Sequence, residues 1–173
     1  MSIYKKVGIV MGSDNDYEIM VEAAKALREF DINFEMTVAS AHRSPERAGT
    51  WARTARDRGL CTIIAGAGAA AHLAGVLAAE TTLPVIAVPI DATALHGLDA
   101  LLAMVQMPAG IPVATMAVGK AGARNAGLFA VQMLAVEDEE LAARLSAFRK
   151  KMAHEVEAKA ARLDARLKQD GLC

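Results

Sequence analysis

Five short apolar runs, each followed by a segment with helical spacing, constrain the fold of this chain more than any other feature of its sequence. The first run, residues 7–11, is apolar throughout, and in residues 14–30 apolar side chains then recur every three or four positions. A continuous apolar run of this length is typical of a strand covered on both faces. Alternating strands and helices predict an α/β fold, a three-layer sandwich in which helices cover both faces of a parallel sheet.

The same alternation continues along the chain. The predicted strands are residues 7–11, 34–38, 61–65, 84–89 and 112–118, and the predicted helices are residues 14–30, 44–59, 72–82, 97–106 and 121–134. A strand order of 2-1-3-4-5 is assumed, because it would bring the loops after the first three strands side by side. We expect residues 1–157 to form a single α/β domain and residues 158–173 to form a charged helical extension.

Charge and cysteine content narrow the functional classes. The formal net charge is -1, whereas a protein that binds nucleic acid through its phosphates usually has a clear excess of basic residues. Cys61 and Cys173 form no cluster of the kind that binds zinc, and so few cysteines fit a reducing compartment. The first residues lack the apolar core of a signal peptide, and no apolar run is long enough to span a membrane. We therefore expect a cytoplasmic protein that uses no metal and binds neither nucleic acid nor a membrane.

Two short polar loops follow the first two predicted strands and carry the side chains best suited to chemistry. Residues 12–16 read Gly-Ser-Asp-Asn-Asp, and residues 40–43 read Ser-Ala-His-Arg. Loops at the carboxyl ends of parallel strands face the same side of a sheet. We therefore expect both loops to border one ligand site.

Each of these loops has a functional and a purely structural interpretation. In the first, the Ser13 hydroxyl and the amides of the helix N-terminus suit a phosphate, and the Asp16 carboxylate suits ribose hydroxyls. In the second, the Arg43 guanidinium suits an anion, and the His42 imidazole can transfer a proton near neutral pH. The alternatives are a helix cap formed by Ser13 or Asp14, and a histidine and an arginine that merely face solvent.

A third loop offers a competing hypothesis. Residues 66–71 match the dinucleotide-binding pattern G-x-G-x-x-A, and Asp91 stands near the place of a ribose-binding acid. The pattern is weak, because small residues occur wherever a helix packs closely on a sheet. His72 opens the next helix and either contacts the ligand or caps and packs. A dinucleotide-dependent oxidoreductase and a non-catalytic nucleotide-binding or scaffolding module are thus the alternatives to an enzyme built on the two polar loops.

Residues 121–134 form a predicted helix that is apolar on nearly all sides, with Arg124 and Asn125 as its strongly polar residues. A domain of this size has little interior in which to bury such a helix, and its exposure would create a large apolar patch. We therefore predict a closed symmetric homo-oligomer.

Four ordered motifs run through the chain. They are Met-Gly-Ser-Asp-Asn-Asp at residues 11–16, Ser-Ala-His-Arg-Ser-Pro at residues 40–45, and residues 65–75 and 105–113. Together they resemble the bacterial type of N5-carboxyaminoimidazole ribonucleotide mutase, the PurE family of purine (IMP) biosynthesis. The resemblance implies a flavodoxin-like fold, an octamer, and conversion of N5-carboxyaminoimidazole ribonucleotide to 4-carboxy-5-aminoimidazole ribonucleotide without metal, nucleotide or biotin.

The same resemblance assigns residues to roles. His42 matches the catalytic histidine of the family. Positions that bind or surround the substrate match six further residues, which are Ser13, Asp16, Arg43, Ser40, Gly68 and His72.

This chain also departs from the family pattern. The family usually has Ser, Trp, Gly, Pro and Ser where this sequence has Asn15, Tyr17, Ala69, Ala74 and Ala100. Asn15 keeps a hydrogen-bonding side chain, and none of these changes removes the acid–base residue. The related animal-type enzyme carboxylates aminoimidazole ribonucleotide directly with CO2 and lacks the Gly-Ala-Gly-x-Ala-Ala-His-Leu sequence found here. The resemblance therefore favours the mutase.

Overall fold

A computed structural model describes residues 6–172, and strands and helices alternate along them. The strands are β1 (Lys6–Met11), β2 (Asn33–Val38), β3 (Leu60–Ala67), β4 (Val85–Pro89) and β5 (Ala114–Thr115). The helices are α1 (Tyr17–Glu29), α2 (Pro45–Arg53), α3 (Leu73–Glu80), α4 (Leu98–Val105), α5 (Lys120–Ala135) and α6 (Glu139–Gln169).

The five strands form one parallel sheet in the order β2-β1-β3-β4-β5, as assumed from the sequence. The predicted α/β fold is therefore confirmed. At the carboxyl end of β1, Met11 lies beside Val38 of β2 and Gly66 of β3. The loops that follow these three strands consequently leave the sheet at the same level.

The central strands lie in the core because helices cover both of their faces. Ile9, Ile64 and Ile86 are fully buried, whereas the residues of the edge strand β2 are half-buried or exposed. The sheet passes so close to α1 that a Cβ atom at Gly66 would lie 2.3 Å from the sulfur of Met20. A side chain at position 66 would displace the buried side chain of Met20 from its place against β3.

Several predicted element boundaries differ from the structure, and three of these differences have a local explanation. β5 is much shorter than the predicted strand of residues 112–118, because Pro112 has no N–H to donate and pairing with β4 is limited to two residues. β3 extends through Ala67, since its last residues still pair with β4. α2 ends at Arg53, and the chain reaches β3 through turns that end at Gly59, whose φ of 81° favours glycine.

The described residues divide into two compact units, one that ends at residue 133 and one that begins at residue 134. α6 continues without interruption through residue 157, the predicted end of the α/β domain. Asp138 begins this helix by accepting a hydrogen bond from the Leu141 amide. The domain boundary between residues 157 and 158 stays a prediction.

An ion-pair network at Glu35 joins the edge strand β2 to its neighbours. Lys6 Nζ lies 2.8 Å from Oε2 of this carboxylate, and Arg58 Nη2 lies 2.8 Å from Oε1. Burial raises the pKa of Glu35, but the hydrogen bonds from Arg58 and Lys6 outweigh burial, and the net effect is a lowered pKa. The charged form of Glu35 is therefore favoured by the fold.

The free energy of unfolding should consequently depend on the charge of Glu35. A carboxyl with a lowered folded-state pKa stabilises the protein above its unfolded pKa, and this stabilisation is lost as the pH falls through the folded pKa. We expect Glu35→Gln to lower the free energy of unfolding by about 1 kcal/mol at neutral pH. The difference should vanish in acid, where wild-type Glu35 is protonated. Urea denaturation at both pH values checks this, with exposed Glu18→Gln as control; equal differences at both pH values would contradict it.

Candidate active site

A cavity of about 260 Å³ opens at the carboxyl edge of the sheet. The loops after β1, β2 and β3 line it, and Ala92 adds a contact from the loop after β4. The structure therefore brings both polar loops of the sequence to one site. Six of the seven predicted site residues line this cavity, namely Ser13, Asp16, Ser40, His42, Arg43 and Gly68.

The loop after β1 is held by a capping box. The Ser13 hydroxyl accepts a hydrogen bond from the Asn15 amide at 3.2 Å, and Asp16 Oδ2 accepts one from the Ser13 amide at 3.2 Å. Ser13 is thus a cap, as one interpretation predicted, but it caps the 3-10 turn Asp14–Asp16 that precedes α1. This cap holds both side chains at the cavity wall. Burial raises the pKa of Asp16, and the charge of Asp14 adds to this, while the bond from the Ser13 amide opposes it.

The loop after β2 is held by two serines. Ser44 stands before Pro45 at the start of α2, as predicted, but its hydroxyl does not cap the helix. Instead it donates to the Ser40 carbonyl at 3.2 Å and accepts from the Ser40 amide at 3.0 Å. The Ser40 hydroxyl accepts from the Arg43 amide at 3.1 Å. Within the described part of the chain the Arg43 guanidinium has no carboxylate partner, which leaves it available for an anion.

His42 and His72 contact each other directly. His42 Nε2 lies 3.1 Å from His72 Nδ1, and the ring planes meet at 81° with centroids 5.2 Å apart. His72 stands at the N-cap position of α3, yet its side chain makes no capping bond. One ring must donate and the other must accept, so the contact couples the tautomers of the two histidines. Both rings are exposed, but only His42 lines the cavity.

The loop after β3 is shaped by close backbone approach. A Cβ atom at Gly68 would lie 2.4 Å from Ala92 Cβ and 3.1 Å from the Ile90 carbonyl oxygen. Ala70 has a φ of 46°, in the left-handed region, and its carbonyl accepts a bond from the His72 amide at 2.7 Å. The loop therefore turns tightly between the end of β3 and His72.

The dinucleotide pattern does not form the turn that such a site needs. Gly66 still belongs to β3, and its carbonyl accepts a bond from the Gly12 amide at 3.2 Å. α3 begins only at Leu73. Asp91 does not line the cavity, and its Oδ2 lies 3.6 Å from His96 Nδ1. The small residues serve close packing of the sheet and its loops.

The cavity lining includes residues that sequence reasoning did not assign to the site, among them Leu73 and Ala92. Ala92 closely follows β4, so the rule that loops at carboxyl strand ends build the site would have found it. Leu73 has no polar group that would have marked it as a site residue. Among residues 6–172 no group of three potential metal ligands occurs, and no helix in that range is long and apolar enough to cross a membrane.

A larger cavity of about 780 Å³ lies at the other edge of the sheet, beside the turn that precedes β4. Two of the charged residues that line it are paired with each other, since Arg53 Nη1 lies 2.7 Å from Glu80 Oε2. None of the predicted site residues borders it. The smaller cavity is therefore the candidate active site.

The family model described as AIR carboxylase matches residues 6–155. The chain belongs to the AIR carboxylase family. A relative from Mycobacterium tuberculosis is 56% identical over 91% of this chain and 90% of its own length. Another from Pyrococcus abyssi is 57% identical over 85% of this chain and 83% of its own length. Both are named N5-carboxyaminoimidazole ribonucleotide mutase, so the resemblance seen in the sequence is confirmed.

The structure of Treponema denticola PurE has the same fold. It matches with a TM-score of 0.82 and 24% identity, and the match covers 92% of this chain and 98% of that one. Together with the 2-1-3-4-5 strand order, this confirms a flavodoxin-like architecture for this AIR carboxylase family member.

Proposed function

We propose that the protein is an N5-carboxyaminoimidazole ribonucleotide mutase, an isomerase of purine biosynthesis. The names of relatives 56–57% identical over most of the chain support this activity. One structural observation carries the proposal. His42, whose imidazole can transfer a proton, lines the same cavity as Arg43 and Ser13.

The substrate is held by groups that match its phosphate and ribose. The Arg43 guanidinium and the Ser13 hydroxyl bind the phosphate, and Asp16 accepts from ribose hydroxyls through the oxygen that is not engaged in the cap. Ser40 and Gly68 contact the base and the migrating carboxylate. These groups do no covalent chemistry; they orient the ligand and exclude water.

The reaction moves one carboxyl group between two atoms of the same substrate. Protonation of the carbamate nitrogen allows the bond between this nitrogen and the carboxyl carbon to break. CO2 and an electron-rich aminoimidazole are released. Ring carbon 4 attacks this CO2, and loss of the proton on carbon 4 restores the aromatic ring. His42 gives the first proton and takes the second, so protons and electrons balance without a cofactor.

His72 positions the catalytic ring. Its Nδ1 lies 3.1 Å from His42 Nε2, which restrains rotation of the His42 imidazole and couples its tautomer to that of His72. The tight turn at Ala70 brings His72 to this place.

The decisive assay measures interconversion of the two carboxylated ribonucleotides without ATP, biotin or added metal. Conversion under these conditions supports the mutase. Activity that requires free bicarbonate with aminoimidazole ribonucleotide indicates the direct carboxylase instead. Binding of the ribonucleotide without turnover indicates a non-catalytic module, and saturable micromolar binding of NAD or NADP indicates an oxidoreductase.

Arg43→Met tests the anion site. Loss of the guanidinium should raise KM at least tenfold, with a smaller effect on kcat, because the phosphate is bound equally in the ground and transition states. Steady-state kinetics measure this, and Arg149→Met, on an exposed part of α6, is the matched control. An unchanged KM for Arg43→Met would remove Arg43 from the substrate site.

The proposed enzyme is cytoplasmic and assembles as a homo-octamer. The helix of residues 121–134 supports assembly only in part. Ala123, Ala126 and Ala130 of α5 are completely buried within the chain, so Ala130→Glu would disturb the fold before it disturbed an interface. Leu128, Phe129 and Met133 are only half-buried, and the homo-oligomer stays a prediction.

A further inference from the structure

The loop that follows β4 forms part of the cavity wall. We call residues 91–97 the β4 loop. Its Ala92 lines the cavity and packs against the loop after β3, since a Cβ atom at Gly68 would lie 2.4 Å from Ala92 Cβ. Within the described residues, the last backbone bond that joins β4 to β3 runs from the Ile90 amide to the Ala67 carbonyl, at 3.0 Å. The β4 loop must therefore be held at the cavity by other contacts.

Thr93 is the centre of the contacts that hold the β4 loop. Its hydroxyl accepts a hydrogen bond from the Leu95 amide at 3.1 Å, and its carbonyl accepts one from the His96 amide at 3.1 Å. The same hydroxyl donates to the Asp99 carboxylate, whose two oxygens lie at 3.0 and 3.1 Å. A hydroxyl has a single proton to donate, so Asp99 sets the direction of that proton and leaves a lone pair for Leu95. The Thr93 side chain thus joins its own loop to α4.

α4 provides a rigid base for Asp99. Ala100 and Met104 are fully buried, so the helix is held in the core. Gly97 precedes the helix with a φ of 83°, and a Cβ atom there would lie 2.6 Å from Val118 Cγ1. The start of the helix is therefore packed closely against the chain, and the Asp99 carboxylate keeps its place independently of the β4 loop.

Asp99 also has a simpler interpretation. An acidic side chain in the first turn of a helix is favoured by the helix dipole, and Asp99 stands in the first turn of α4. The dipole alone, however, does not require the carboxylate to accept from a hydroxyl of the preceding loop. The two interpretations predict different results for Asp99→Asn, because asparagine removes the charge but keeps an oxygen that can accept the bond.

We propose that Asp99 and Thr93 are positioning residues of the mutase, which hold Ala92 against the loop after β3 and thereby keep CO2 in the cavity. The inference rests on the proposed function, in which CO2 is free between its release from nitrogen and its capture by ring carbon 4. Ala92 packs against Gly68, which is proposed above to contact the base and the migrating carboxylate. An outward shift of the β4 loop would open the wall at that place. CO2 that escapes becomes bicarbonate, and the substrate is left as aminoimidazole ribonucleotide.

The ratio of aminoimidazole ribonucleotide to carboxylated product is a readout that a merely structural role would not move. It is measured with substrate that carries 13C in its carboxyl group, after subtraction of the loss that occurs without enzyme. The wild-type protein should place most of the label on carbon 4. Thr93→Val, which keeps the shape but lacks the hydroxyl, and Asp99→Ala should each raise the ratio on the order of tenfold, because small displacements of a positioned site have effects of up to about 100-fold.

Conservative variants and a matched control separate this contact from a general loss of stability. Thr93→Ser and Asp99→Asn keep the atoms that form the bond and should keep the wild-type ratio, whereas the dipole interpretation predicts that Asp99→Asn behaves as Asp99→Ala. Thr93→Val/Asp99→Ala should be no worse than Thr93→Val, since both changes remove one contact. Thr81→Val is the control, because the Thr81 hydroxyl accepts from the Leu83 amide at 3.2 Å in the turn before β4. This variant should keep the wild-type ratio.

Hydrogen exchange tests the contact without turnover. Asp99→Ala leaves the Thr93 hydroxyl in place, yet the Leu95 and His96 amides should exchange several-fold faster, because the hydroxyl loses its fixed direction. Unchanged exchange in Asp99→Ala, a wild-type ratio in Thr93→Val, or an Asp99→Asn variant as defective as Asp99→Ala would overturn the positioning role. A wild-type protein that forms no carboxylated product would instead overturn the mutase, so the two failures can be told apart.

Discussion

His42→Asn is expected to lower kcat by about 10²–10⁴-fold, the range that a positioned acid–base group contributes. Asparagine can fill a similar volume and accept or donate a hydrogen bond, but it cannot exchange a proton near neutral pH. The substrate-binding groups on the loops after β1 and β2 remain in place. Ribonucleotide affinity should therefore change little, and loss of turnover should be the dominant effect.

The measurement combines steady-state kinetics with isothermal titration of the ribonucleotide. His154→Asn is the matched control, because this histidine is exposed on α6 and should be neutral. Near-normal kcat in His42→Asn would exclude His42 as the acid–base group. A loss of affinity equal to the loss of turnover would instead make His42 a binding residue.

Gly68→Ala should have the second-largest effect, although it adds only a methyl group. The new Cβ would lie 2.4 Å from Ala92 Cβ and close to the Ile90 carbonyl, so the loops after β3 and β4 must separate. Both loops line the cavity. A displacement of about 1 Å at a catalytic site costs on the order of 100-fold in rate, and we expect a loss of that size in kcat/KM.

A second substitution separates this clash from other causes. Ala92→Gly removes the atom that the new methyl would meet, so Gly68→Ala/Ala92→Gly should recover most of the lost kcat/KM. Ala92→Gly alone shows the cost of the second change and serves as the control. Failure of the double variant to exceed Gly68→Ala would mean that Gly68 matters through direct contact with the substrate instead of through the loop after β4.

Most strands and loops of this protein can be predicted from the sequence, because they depend on local patterns. The run at residues 7–11 and the polar loop after it need only apolar periodicity and the rule for carboxyl strand ends. Strand boundaries near proline and glycine are predicted poorly, because they depend on which residues pair with the neighbouring strand. Pro112 falls in a predicted strand that pairs only over two residues, and Gly66 falls in a predicted loop although it still pairs with β4.

Contacts between distant loops are beyond sequence reasoning. His42 and His72 are 30 positions apart, and their contact depends on the turn at Ala70 with its positive φ. The Ser44 hydroxyl bonds to the Ser40 backbone and not to the helix start, and no pattern distinguishes these two partners. Such contacts follow from the final placement of loops, which the strand order and register must first define.

The common level of Met11, Val38 and Gly66 has a further consequence for how activity responds to mutation far from the cavity. A strand advances about 3.3 Å per residue, so a slip of one position in β1, β2 or β3 would carry its loop farther than a hydrogen bond can stretch. The apolar side chains that hold the strands in register therefore also position the polar loop residues at the cavity, although they do not contact them. Turnover should be a more sensitive gauge of sheet packing than melting temperature, because small shifts impair catalysis before they unfold the chain.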